Sequence, residues 1–282
     1  MTTTRYYSVA HHVMALTAEE EVFSLLGNCD PFEVAPVEPL IALSIRSRVP
    51  LPVGWTEEWR QEEEGEEIVC GHVDGHPTFV FYSHGKRAGW AACSKDYRQV
   101  RVSLGDLPKL TLDNAMMISY ALATASADTL LFHASVVNRD GKGYMFLGPS
   151  GTGKSTHTRL WLKYVPGSRL LNDDNPVVRI GKDGKATVYG SPWSGKTPCY
   201  VNEEFPLAAL VRLEQAPYNA IQRMRPIEAY AALSSSVSGK RWDRSIADGL
   251  HHTLNALTAG TGVWQMECLP DEAAAQMTSS TI

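Results

Sequence analysis

Residues 148–155 read Gly-Pro-Ser-Gly-Thr-Gly-Lys-Ser and are followed by Thr156, which is the G-x-x-x-x-G-K-[ST] spacing of a phosphate-binding loop. Each residue type answers a need of a polyphosphate. Gly148, Gly151 and Gly153 let the backbone curl, so that successive N–H groups around Ser150 and Thr152 turn inward as an anion nest. A helix starting at the end of the loop adds the positive end of its dipole. The Lys154 ammonium can reach the outer phosphates, and the Ser155 hydroxyl, beside Thr156, can ligate Mg²⁺. A chance match to the fixed positions is expected in roughly 1% of chains of this length. The loop predicts binding of a nucleoside triphosphate or something much like it.

A second group follows at Asn172-Asp173-Asp174-Asn175-Pro176, at the end of a short apolar run. In phosphoryl transfer a metal must be held on the phosphates and the attacking hydroxyl must lose its proton. Adjacent carboxylates can divide those tasks, one ligating the cation and the other acting as base. The same five residues also make good turn chemistry, and the phosphate loop upstream tips the reading toward a site. Residues 190–197, Gly-Ser-Pro-Trp-Ser-Gly-Lys-Thr, offer Lys196 on a loop that could close on phosphate or acceptor; a surface turn is the plain alternative. His133 stands in an otherwise apolar stretch that leads by a hairpin into the phosphate loop, so it could point at the aspartates. Arg159, Arg179 and Arg212 are further candidates to stabilise charge, while His251 and His252 read as surface residues on a late helix.

These residues need elements to carry them. Residues 144–147 read as a strand into the loop and 156–163 as the helix out of it. Residues 129–137 form the preceding strand, joined by an Asp140-Gly141 turn, so the strand entering the loop is antiparallel to its predecessor. Residues 177–180 and 186–189 read as another hairpin. The sheet is therefore mixed, unlike the parallel sheet of a doubly wound nucleotide-binding fold. Up to about residue 112 the chain reads as strands and turns: 40–45, a hairpin of 66–73 and 76–81 about Asp74-Gly75, and 99–104. The run 57–67 carries seven glutamates and reads as a solvated loop. Residues 112–123 predict the clearest helix, capped by Asp113 or Asn114, with its Met and Leu residues in the core. Later strands are expected at 207–213 and 262–269, and helices at 226–233, 242–257 and 271–277. The expected division is a β-rich domain over 1–112 and a nucleotide-binding domain over 113–282.

Composition narrows the class. A net charge of −5 argues against a general nucleic-acid binder. The chain lacks a long apolar run and an apolar leader, so neither a membrane partner nor export is expected, and the cytoplasm is the expected location. Five scattered cysteines without a C-x-x-C pair exclude the usual zinc spacings and predict buried free thiols, with Cys199 nearest the candidate site.

Together, the His133-Ala-Ser-Val-Val stretch, residues 148–156 and the Asp173-Asp174 pair resemble the superfamily of HPr kinase/phosphorylase and phosphoenolpyruvate carboxykinase. The resemblance runs from about 130 to 213. It implies an α/β fold of the α+β mixed-sheet kind, an HPr-kinase-like P-loop core behind a β-rich N-terminal domain. It also implies an ATP-dependent kinase acting on a hydroxyl, with Asp174 as base, Asp173 and Ser155 as Mg²⁺ ligands, and His133 as support. Residues 190–196 are similar to HPr-kinase-related proteins, some of which stand beside peptide-modification systems and phosphorylate peptides. The chain departs from true HPr kinases in lacking a legible basic C-terminal loop and their regulatory domain. The implied acceptor is thus a hydroxyl, serine foremost, of a peptide, protein or small molecule; homo-oligomers stay open. The alternatives are a non-catalytic ATP-binding regulator and a carboxykinase-like enzyme.

Overall fold

Strand pairs closed by two-residue turns, both residues left-handed, dominate the first part of the chain. Glu64-Gly65, Asp74-Gly75 and His84-Gly85 all have positive φ at both positions, the turn whose twist matches that of paired strands. The computed structural model describes residues 1–195 and 197–282. It divides into two units, Met1–Thr124 and Ala125–Ile282.

The first unit holds β1 (Thr2–Val9), β2 (His12–Glu19), β3 (Glu33–Val34), β4 (Ile41–Ser47), β5 (Thr56–Glu63), β6 (Glu66–Val73), β7 (His76–Ser83), β8 (Lys86–Cys93), β9 (Gln99–Leu104) and α1 (Pro108–Thr124). They form one nine-stranded sheet in the order β3-β1-β2-β4-β9-β8-β7-β6-β5. The β2–β4 and β4–β9 pairs are parallel, and the others are antiparallel. Helix α1 lies on β4 and β7–β9, burying Leu112, Ala115, Met116 and Tyr120. The Tyr120 hydroxyl donates to the Val9 carbonyl at 3.1 Å.

Three sequence expectations change here. The glutamate run is not a connecting loop: most of it is edge strand β5, exposed along its whole length and hairpinned to β6. An edge can carry charge because one side of the strand stays in water, and Arg60 bridges Glu57 and Glu67. Helix α1 begins earlier than predicted, with Pro108 in its first turn, where a missing N–H loses no bond. Asp113 is therefore no cap but an interior residue paired with Lys109 at 2.5 Å. Because α1 packs on the first sheet, the division falls after this helix at Thr124, not before it at 112.

The second unit holds β10 (Thr129–Leu131), β11 (Ala134–Arg139), β12 (Lys142–Leu147), α2 (Lys154–Tyr164), β13 (Arg169–Asp174), β14 (Val177–Ile180), β15 (Ala186–Tyr189), β16 (Glu204–Gln215), β17 (Ala220–Arg223), α3 (Pro226–Ser234), α4 (Arg244–Gly260), β18 (Gly262–Cys268) and α5 (Glu272–Thr281). Its sheet runs β10-β14-β15-β16-β12-β11-β13, with β18 joining β16 and β17 joining β18. The β12–β16 and β16–β18 pairs are parallel and the remainder antiparallel. Two mixed sheets with flanking helices make an α+β fold.

One face of this sheet carries α2 and α5. Val137, Phe146, Val211, Leu213 and Met266 from the strands pack with Trp161, Val165, Ala274 and Ala275. His157 of α2 is buried between Phe146, whose ring it meets edge-on, and the Thr278 hydroxyl of α5 at 3.1 Å. Among the described residues, no helix is long and apolar enough to cross a membrane.

Candidate active site

Strand β12 ends in the buried residues Met145, Phe146 and Leu147, and the chain leaves it through Gly148. Gly148, Gly151 and Gly153 have φ of 148°, 79° and 100°. A Cβ at Gly148 would stand 2.6 Å from Thr152 Oγ1 and 3.2 Å from the Leu213 carbonyl, so only glycine lets the loop close this tightly. Thr152 Oγ1 donates to the Pro149 carbonyl at 2.8 Å, and Gln215 at the end of β16 donates to the Gly151 carbonyl at 3.0 Å. Lys154 is buried and folds back over the loop, its Nζ donating to the carbonyls of Gly148 at 2.9 Å and Pro149 at 3.2 Å. Helix α2 starts at Lys154, with left-handed Gly153 as its N-cap, no side-chain cap and no acid in its first turn. Ser150 and Gly151 are exposed; Thr152, Gly153, Ser155 and Thr156 are half-buried. An uncapped, acid-free helix start under a glycine loop favours a bound anion.

The aspartates reach the same sheet edge through pairing. Ala134 of β11 pairs with Leu147 of β12 on one side and with Asp174 of β13 on the other. With strands about 4.8 Å apart, the exit into the loop and Asp174 lie two strand spacings, roughly 10 Å, from one another. Ser135, one residue on, pairs with both Phe146 and Asp173. Paired residues share a face, so Asp173 leaves the sheet on the side of Phe146 and α2, and Asp174 on the other. Asp173 is buried and Asp174 half-buried. Ser135 Oγ and Thr158 Oγ1 of α2 hydrogen-bond at 2.7 Å, fixing the helix to the strand between loop and aspartates. A register shift between Val136 and Val137 leaves Leu171 as an extra residue of β13, a bulge just before the acidic end.

His133 differs from the sequence expectation in its backbone. Residues 129–137 are not one strand: the chain breaks at Phe132-His133 between β10 and β11. Phe132 N donates to the Pro176 carbonyl at 3.0 Å and His133 N to the Ser236 carbonyl at 2.7 Å, so neighbouring loops take these residues out of the ladder. The break turns the imidazole to the aspartates, with Nε2 3.6 Å from Asp174 Oδ1. That distance is too long for a hydrogen bond but permits an ion pair when the ring is protonated. Asp174 Oδ2 accepts from Asn175 Nδ2 at 2.6 Å.

Residues 190–195 form a strap along the outer edge of β13. Gly195 N donates to the Asp173 carbonyl at 2.8 Å, and Asp174 forms a bridge with Ser194. Lys196 lies outside the described residues. The Cys199 thiol sits 3.4 Å from the Leu171 carbonyl and is pushed up to about 11 by burial and by the nearby Asp173 carboxylate. It is a buried thiol, and burial away from cationic groups works against a reactive thiolate. All five cysteines are free.

Of the arginines, Arg159 Nη2 donates to Thr156 Oγ1 at 3.2 Å beside the loop, and Arg212 pairs with Leu147 at the site edge. Arg179 pairs with Thr129 in the β10–β14 ladder and does not join them. His251 and His252 are exposed, as expected. Two features escaped the sequence reading. Ser236 meets His133 from far along the chain, which no local pattern announces. Buried Asn172 and Ser191 bond to each other beside the aspartates. An asparagine before two acids and a serine before a proline both look like turn residues, so neither signalled burial.

A family model described as "SynChlorMet cassette protein ScmC" matches residues 103–254, more than half of the 282-residue chain. The chain belongs to that family. The matched span of this ScmC-family chain includes the loop, His133, both aspartates and the strap. No curated protein matches it. Among solved structures it is similar to the Hpr(Ser) kinase/phosphatase from Coxiella burnetii, at 11% identity and a TM-score of 0.31, over 53% of this chain and 91% of that one. A likeness that small carries no residue or activity from one to the other.

Proposed function

We propose that this ScmC-family chain is an ATP-dependent phosphotransferase with an HPr-kinase-like P-loop core. It moves the γ-phosphate to a hydroxyl, serine foremost, of a peptide, protein or small molecule. One observation carries the reading: the row Leu147–Ala134–Asp174 sets the glycine loop, His133 and the aspartate pair at one sheet edge. The residues fit Mg-ATP. The loop has the left-handed glycines and buried lysine that a polyphosphate needs. Ser155 and Asp173 supply hard oxygen donors from the same side of the sheet. Among the described residues, no group of three or more His, Cys, Asp or Glu side chains is arranged to hold a metal. Mg²⁺ binds through one or two protein oxygens together with phosphate, the donors that Ser155 and Asp173 would supply.

When bound, Mg²⁺ neutralises charge on the β- and γ-phosphate oxygens. In this reading the 148–156 backbone and Lys154 orient the triphosphate, and Ser155 and Asp173 hold the cation. Asp174, on the opposite face from Asp173, takes the proton of the acceptor hydroxyl. His133 beside it supports that carboxylate electrostatically. Acceptor candidates are the other products of the cassette to which the family's name refers. The test is transfer of labelled γ-phosphate from ATP into those candidates by the wild-type chain. Transfer that is absent from every acceptor, or unchanged in Asp174→Asn, overturns the reading.

A further inference from the structure

The strap and the aspartate strand are joined by a closed ring of buried polar groups that substrate contact does not require. Asn172 and Ser191 are both fully buried. Asn172 Nδ2 donates to Ser191 Oγ at 3.1 Å and to the Trp193 carbonyl at 3.1 Å. Ser191 Oγ donates to the Asn175 carbonyl at 2.6 Å, and Asn175 N donates back to Asn172 Oδ1 at 2.8 Å. Trp193 N also donates to Ser191 Oγ, at 3.2 Å. The ring therefore grips the backbone immediately before and immediately after Asp173-Asp174. It also fixes the strap whose Gly195 N holds the Asp173 carbonyl at 2.8 Å.

The chemistry of the ring is specific. Asn172 must offer two donors and an acceptor at once, which neither aspartate nor leucine can do. Ser191 must accept from an amide and pass its own proton to a carbonyl. A leucine at 172 would leave the Asn175 N–H and the Trp193 carbonyl without these buried partners. An aspartate would add a third carboxylate beside the other two.

The geometry points to Asn172 and Ser191 as a positioning pair: their amide–hydroxyl bond sets the Asp173-Asp174 carboxylates and docks residues 190–195 against them. The inference rests on the phosphotransfer reading above. The pair's hydrogen bonds do not reach the 148–156 loop, so it acts through the aspartates on turnover and leaves the loop's own grip on the phosphates in place.

The experiment compares wild type, Asn172→Ala, Ser191→Ala, Ser191→Thr and the double alanine variant. ATP affinity without Mg²⁺ is read by calorimetry, transfer by labelled phosphate, and strap protection by hydrogen exchange. The expected result is a drop in kcat of about 10–100-fold in each alanine variant, the usual loss for a residue supporting a catalytic group. Metal-free ATP affinity stays within about twofold, the double variant is no worse than the worse single one, and Ser191→Thr keeps turnover. Exchange rises over residues 190–195 and not in α2. Unchanged kcat, losses that add, or loss of metal-free ATP affinity in step with kcat overturns the pair as a positioning device while leaving the phosphotransfer reading in place. A wild-type chain that binds Mg-ATP and transfers nothing removes the reading, and the inference with it.

Discussion

The two nine-stranded sheets share their hairpin chemistry and differ in what happens where strands end. In the first, β5, β6 and β7 each return through a two-residue turn, so these strand ends are spent on getting back into the sheet. In the second, β12 and β13 are both antiparallel to β11 and hence parallel to one another, and they leave the same end of the sheet on either side of β11. One end opens into a glycine loop and a helix, and the other into paired acids. Tight hairpins make a scaffold; strand ends that leave one end of the sheet into a glycine loop and into paired acids make a place for a ligand.

The largest test of that contrast is Asp174→Asn, expected to lower phosphate transfer by about 10²–10⁴-fold, the range for loss of a general base. Labelled-phosphate transfer at saturating Mg-ATP reads it, and fold integrity is checked by unfolding. Next is a matched pair of glycines. Gly148→Ala meets Thr152 Oγ1 and the Leu213 carbonyl, an overpacking of about 1–3 kcal/mol, and is expected to weaken Mg-ATP binding about tenfold or more by calorimetry. Gly75→Ala has open space at φ +74° and incurs only the left-handed penalty of about 1–2 kcal/mol. It lowers the stability of the first unit and leaves nucleotide affinity unchanged. Equal effects of the two on Mg-ATP would break the comparison.

A smaller effect separates the two cores by pH. Among the described residues, His157 is the buried histidine, and burial lowers it from 6.5 to about 4. The unfolded chain takes up its proton first as pH falls. The stabilisation is thus complete above about 6.5 and is lost between there and about 4, a change on the order of 3 kcal/mol. Urea midpoints of the second unit should fall across that window, and His157→Gln should flatten the dependence. The smallest effect belongs to exposed β5: Glu62→Gln is expected to shift stability by less than about 0.5 kcal/mol in a melting experiment and to leave transfer unaltered.

The glycine loop was legible because its chemistry is contiguous: eight residues specify strand exit, nest and helix start without help from the remainder of the chain. The hairpins at Asp74-Gly75 and Asp140-Gly141 were legible for the same reason. The union of loop and aspartates was harder, since it depends on β11 lying between β12 and β13, a pairing that only the folded sheet creates. His133 shows the limit. Its apolar neighbours favour an uninterrupted strand, and the break there is imposed by Pro176 and Ser236, residues far away in sequence. The edge strand at 56–63 misled for the opposite reason, because its charges mimic a loop when one side of a strand faces water. Helix α1 was found as a helix and assigned to the wrong partner, because periodicity shows that a face is apolar without saying which sheet it covers.

The extra residue Leu171 has a consequence for how this sequence can vary. It acts as slack in the alternation of β13, so the phase of Arg169 and Leu170 is uncoupled from that of Asn172, Asp173 and Asp174. Upstream of the bulge, the chain from α2 can lengthen or shorten and let the bulge move or vanish. Downstream there is no such reserve: one residue gained or lost between Asn172 and Asn175 exchanges the faces of the two carboxylates. Among diverging members of the family, insertions and deletions should gather before Leu171 and stop there.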